Sequence, residues 1–209
     1  MMWILFSSLT LAAPVVGVDW TPLGRSDLAW IEEGGLSGTG VAEGDGVLDP
    51  NLSAWGGVAG ERDALLFGLG IARSTSTALS SDQFSSAHVG ALRPAVDYRR
   101  YLQPRAAADA VPYLQLGTYG VVPSARYFSD AYTDEEQEAM DDAARQDRAR
   151  IGAVGLRMGG GAEVAWPSGL MVGARYLLVA HRGADLSETA YTLSTVMYGE
   201  AALQLGFAL

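Results

Sequence analysis

The stretch Thr195–Leu209, TVMYGEAALQLGFAL, decides the fold. Thr195, Met197, Ala201, Leu203, Leu205, Phe207 and Leu209 share one parity, and Tyr198, Glu200, Gln204 and Gly206 share the other. A period of two belongs to a strand, because successive strand side chains point to opposite faces. Upstream, Leu170, Val172, Ala174, Tyr176, Leu178 and Ala180 alternate with Gly173, Arg175 and His181. Before these, Val154, Leu156, Met158, Ala162, Val164 and Trp166 oppose Ala153, Arg157, Gly159, Gly161 and Glu163. Three consecutive strands thus carry an apolar face and a face of Gly, Ala and isolated charge.

Earlier segments repeat the theme. Leu114, Leu116 and Val122 oppose Tyr113, Gln115 and Tyr119; Leu92, Val96 and Tyr98 oppose Arg93, Asp97 and Arg99; Leu65, Phe67, Leu69 and Ile71 oppose Gly68, Gly70 and Ala72. Ser53–Ala59 and Leu36–Glu43 are Gly-rich and are read as strands because a closed sheet needs partners for its edges. The expected fold is all-β: an antiparallel up-and-down transmembrane β-barrel of about eight strands. Connections support it by alternating in length: Gly60–Asp63, Gln103–Asp109 and Trp166–Gly169 are short, whereas Ser76–Gln83, Phe128–Ala149 and Arg182–Ser194 are long. Short periplasmic turns, long extracellular loops and an even strand number with both termini periplasmic are the marks of outer-membrane barrels.

Alternation alone also suits a soluble lipocalin-like barrel with its apolar face inward. The polar face argues against that orientation. A water-facing sheet surface carries large hydrated side chains, but here Gly and Ala dominate, as a narrow lumen requires. An arginine on the lipid face near the midplane costs roughly 2–4 kcal/mol, so the charges belong inside. Arg93, Asp97, Arg99, Arg157, Glu163, Arg175 and Glu200 are the expected ion-pairing lumen residues. Leu156, Val172, Leu178, Leu203, Leu205, Phe207 and Leu209 are the expected lipid-facing ones. Trp166, Tyr98 and Phe207 at one end, with Tyr127 and Tyr191 at the other, are placed for interfacial girdles.

The apolar opening (Trp3, Ile4, Leu5, Phe6, Leu9, Leu11), passing into Ala12, Ala13 and Pro14, reads as a secretory signal over about residues 1–17. Residues 18–35 are then a periplasmic lead-in, with a plug or an extra strand as alternatives, and 36–209 the barrel. The formal charge of −10 argues against nucleic-acid binding, which needs basic patches. All 14 basic residues are arginines, and cysteine is absent, which excludes disulfides, thiolate metal sites and lipidated cysteines.

Over residues 36–209 this pattern resembles the small outer-membrane barrels of the OmpA/OmpX type. The resemblance implies a bacterial outer-membrane location with outer-membrane lipids and lipopolysaccharide as surroundings. It also implies a C-terminal strand read by the barrel-assembly machinery, although here the aromatic is Phe207 and the last residue Leu209.

Other features weigh less. Ser86 and His88 share a parity, as in outer-membrane lipid A deacylases, but no carboxylate to orient the histidine can be named; a rim histidine beside a serine-rich loop is the simpler account. His181 is the second histidine, placed near an outer strand end. Asp45 and Asp49, with Glu43 and Gly46, form an acidic loop that lacks EF-hand spacing and reads as a solvated loop. Thr133 and Glu136 form a capping box for a helix over Thr133–Arg150, acidic at its start and basic at its end, read as a solvated surface helix in the longest outer loop. The resulting expectation is a non-enzymatic structural or surface-interaction protein with a filled lumen, no cofactor and no metal. The alternatives are a lipid-modifying enzyme and a soluble ligand-binding barrel.

Overall fold

Eight antiparallel strands follow one another around a closed barrel in the computed structural model, which describes residues 13–23, 52–80, 83–105, 109–130, 132–184 and 193–209. They are β1 (Ala13–Leu23), β2 (Leu52–Ala59), β3 (Asp63–Ser80), β4 (Gln83–Tyr101), β5 (Ala110–Ser129), β6 (Ala153–Ala165), β7 (Leu170–Ala184) and β8 (Leu193–Ala208), with helix α1 (Asp134–Ile151) between β5 and β6. β1 pairs with both β2 and β8, so the sheet has no edge at the seam. Cross-strand partners from Gln204 run through Asp19, Ser53, Gly70, Arg93, Val121, Ala153 and Gly183, returning to β8 at Ser194, ten residues from the start. Eight strands with that stagger tilt by about 40–45°.

The start of β1 meets the end of β8, with the Leu209 amide donating to the Pro14 carbonyl at 2.9 Å. The short connections at 60–62, 102–109 and 166–169 lie at this end. Gly169 sits at φ 89° in its turn, a conformation that favours glycine.

Four expectations are corrected. The barrel begins at Ala13 and not at residue 36: Val15, Gly17 and Asp19 face inward and Val16, Val18 and Trp20 outward, so the end of the expected signal (13–17) and the start of the expected lead-in (18–23) together supply the first strand. Leu36–Glu43 lies outside the described residues, whereas Ser53–Ala59 is β2. The long loop expected over Ser76–Gln83 is a hairpin, since the ladder runs without a break to Ser80↔Gln83. The Ser/Thr-rich run read there as loop suits a strand equally well, threonine being β-branched. Tyr127 is 3 % exposed on the inner face and so is no part of an outer girdle, while its neighbour Phe128 is exposed; Tyr191 lies outside the described residues.

The last correction is α1, which is docked. Its capping box forms as expected. The β5–β6 ladder stops at Val121↔Ala153, although β5 continues to Ser129, which leaves the upper β5 edge without a strand partner on that side. The helix covers this edge: Gln137 Nε2 donates to the Tyr127 carbonyl at 3.1 Å and Arg148 Nη1 to the Ala125 carbonyl at 3.4 Å. Covering an edge removes a template for stray pairing. Ala144, 3 % exposed, and Met140 pack with the inward-facing Val121, Ala125, Tyr127, Leu177 and Val179.

Candidate functional site

The wall has two chemically distinct faces. On the inner face all seven charged residues singled out in the sequence are brought together into ion pairs. Asp97, Gly117 and Arg157 occupy one cross-strand row over β4, β5 and β6. Because Gly117 has no side chain, the Asp97 carboxylate and the Arg157 guanidinium meet across it; a Cβ at that position would fall within the carboxylate. The pairing is bidentate, with Arg157 Nε 2.7 Å from Asp97 Oδ1 and Arg157 Nη2 on Asp97 Oδ2. Arg99 Nη1 lies 3.0 Å from Glu163 Oε2, and Arg93 Nη2 3.4 Å from Glu200 Oε2. Arg175 Nη2 bridges Glu200 Oε1 at 3.3 Å and Asp19 Oδ2 at 2.9 Å.

Several network members escaped sequence reasoning. Asp19 was hidden in the presumed lead-in, yet it receives hydrogen bonds from Trp55 Nε1 at 2.8 Å and Gln204 Nε2 at 2.9 Å. Arg105 reaches in from a turn, its Nε 3.0 Å from Glu163 Oε1, and no strand period could flag it. Tyr101 donates to Glu163 Oε1 at 2.9 Å and Tyr113 to Gln204 Oε1 at 2.6 Å. Their inward parity was legible, but which partner each would meet depends on barrel stagger. Trp55 lies across Gly206, where a Cβ would stand 2.8 Å from its Cη2.

Apolar layers close the network at both ends. At the end where β1 starts and β8 finishes lie Val15, Ala59, Leu66, Val111 and Met171; towards α1 lies the cluster containing Leu177 and Val179. His181 faces inward, 3 % exposed, with Nδ1 2.8 Å from the Tyr119 hydroxyl. Arg93 stacks on the same Tyr119 ring with its Cζ 4.0 Å from the centroid. Buried charges in these numbers require mutual pairing, and each carboxylate named here has an arginine partner.

The outer face is the opposite. Leu156, Val172, Leu178, Leu203, Leu205, Phe207 and Leu209 all lie there, 43 to 71 % exposed. Between Val154 and Trp166 on β6, every outward residue is apolar or glycine. At about 3.3 Å per residue and a tilt of about 43°, that span rises about 29 Å. Among the described residues, charge returns only at the ends: Arg126 and Arg182 are exposed beyond Val122 and Ala180, while Asp63 at the other end accepts from Tyr98 and from Arg100 Nη1 at 2.8 Å.

Ser86 and His88 lie on β4 with register partners Phe128 and Arg126, and their side chains lie outside the described set. Asp45 and Asp49 are outside the described residues. Among the described residues, no three His, Asp or Glu side chains converge as a metal site. Neither a protein-family model nor a curated protein matches the chain, so its function rests on the chemistry of these two faces.

Proposed function

We propose that this chain is a non-enzymatic outer-membrane β-barrel protein with a structural or surface-interaction role, its lumen filled by side chains and both termini periplasmic. One observation carries the reading: among the described residues an uncharged apolar belt lines the outer wall, with charge confined to its two ends. A water-exposed apolar surface of this extent is rare on soluble monomers, and its height suits a hydrocarbon core of about 30 Å. Leu170, Val172, Leu203 and Leu205, which a soluble ligand-binding barrel would turn inward, are exposed. No described helix is long and apolar enough to cross a membrane; the crossing is by strands, whose closure satisfies the backbone without water. Outer-membrane lipids and lipopolysaccharide then surround the belt, and the barrel-assembly machinery inserts it.

Expression in a Gram-negative host followed by fractionation tests this directly. The expected result is recovery with the outer membrane and a mobility difference between unboiled and boiled samples on gels. Complete recovery in the soluble periplasm without a heat-dependent shift would overturn it.

A further inference from the structure

We propose that the lumen holds one small anion of the halide class, bound between Arg99 and Gln115. Arg99 and Gln115 are cross-strand partners on β4 and β5, 1 % and 3 % exposed. The Arg99 guanidinium stacks on the Tyr113 ring, Cζ 4.6 Å from its centroid. It spends Nη1 on Glu163 Oε2 and Nε on Gln115 Oε1, each at 3.0 Å. Two donors on this floor then have no acceptor: Arg99 Nη2 and Gln115 Nε2. Leaving a buried donor unmatched is costly, so such atoms call for an unseen partner.

The character of that partner follows from two imbalances. Arg175 Nε is another buried donor without an acceptor, whereas no buried side-chain oxygen of the described residues lacks a partner. A water molecule would accept from these donors but would bring two further protons needing acceptors. A halide only accepts. The charge count among the described residues agrees: five arginines enter the inner network (Arg93, Arg99, Arg105, Arg157, Arg175) against four carboxylates (Asp19, Asp97, Glu163, Glu200). One negative charge balances that excess in a medium where unpaired charge is expensive. The site depends on the inner face alone and stands whether or not the outer wall sits in lipid.

Bromide is the probe. Crystals of the protein grown in sodium bromide and measured at the bromine edge are expected to show an anomalous peak in contact with Arg99 Nη2 and Gln115 Nε2. In solution, exchanging gluconate for saturating bromide at constant ionic strength is expected to raise the unfolding temperature by roughly 5 °C. Gln115→Glu brings its own carboxylate to the same floor and is expected to lose that response. Density for water without an anomalous signal, or an unfolding temperature indifferent to bromide, would overturn the proposal. The crystallographic measurement needs no variant, so a Gln115→Glu chain that failed to fold would leave the test intact.

Discussion

Asp97 and Arg157 show how a single residue type sets an interaction: glycine at 117 opens the row, and the two charges close over it, 6 % and 7 % exposed at the side chain. A buried pair of this kind adds little over a well-packed apolar pair, because desolvation offsets the Coulomb gain, yet removing one partner strands the other. Asp97→Asn is therefore expected to destabilise the barrel by about 3–5 kcal/mol, read as a lowered urea midpoint for the folded, heat-modifiable form. The Asp142–Arg145 pair on α1 is the contrast, at 2.5 Å but with side chains 58 % and 64 % exposed. Asp142→Asn is expected to cost at most about 0.5 kcal/mol in the same assay. Equal effects at the two sites would mean that water reaches the Asp97 pair freely, and the filled lumen would have to be abandoned.

At the scale of the element, α1 is held at its start by a reciprocal cap: Glu136 N donates to Thr133 Oγ1 at 3.4 Å, while the Thr133 backbone N–H donates to the Glu136 carboxylate at 2.8 Å. The Thr133 backbone bond first, and its hydroxyl second, hold the Glu136 carboxyl below its usual 4.5. A carboxylate depressed in the folded state contributes above its unfolded pKa and loses that contribution as pH falls through the folded value. The first turn of α1 is therefore expected to exchange its amides faster below about pH 4, with the β4–β5 ladder unaffected. Thr133→Ala should produce the same loosening at neutral pH, worth about 1 kcal/mol. The cap was legible in the sequence because its signal is local, but the docking of α1 was not, since nothing in residues 134–151 shows how far β5 outruns β6. β1 was missed for a similar reason. Its inward Val15 interrupts the alternation, and its apolar residues run on from an apolar leader-like stretch. On the export reading, cleavage must spare β1. A cut after Ala12 does so and places Thr10 and Ala12 at the small-residue positions before it. Mass spectrometry of the extracted protein is expected to find Ala13 as the first residue. A start after Gly17 would delete Val15, 1 % exposed, and would contradict the role assigned to β1.

Taken as a whole, the molecule turns its amphipathicity inside out, and the stagger that sets the strand tilt also sets the height of the apolar belt. The period-two pattern was sufficient to assign each strand's faces, and the inner candidates Arg93, Asp97, Arg157 and Glu200 could be named by parity. Which charge meets which could not, because partners four strands apart, such as Arg93 and Glu200 across the lumen, are fixed by closure and stagger and by no local spacing. Belt height supplies a test at this same scale. Leu203 lies midway along the outward row of β8 between Met197 and Leu209, and all three are at least half exposed. If lipid surrounds the belt, arginine at the centre should cost about 2–4 kcal/mol and near the rim about 0–1 kcal/mol. Leu203→Arg and Leu209→Arg, each refolded from urea into phospholipid vesicles, are expected to differ by roughly 2 kcal/mol in that order. In water both substitutions exchange one exposed residue for another and should fall within about 0.5 kcal/mol of the parent. A depth-independent response in vesicles would therefore remove the membrane from the account while leaving the barrel and its inner network as they stand.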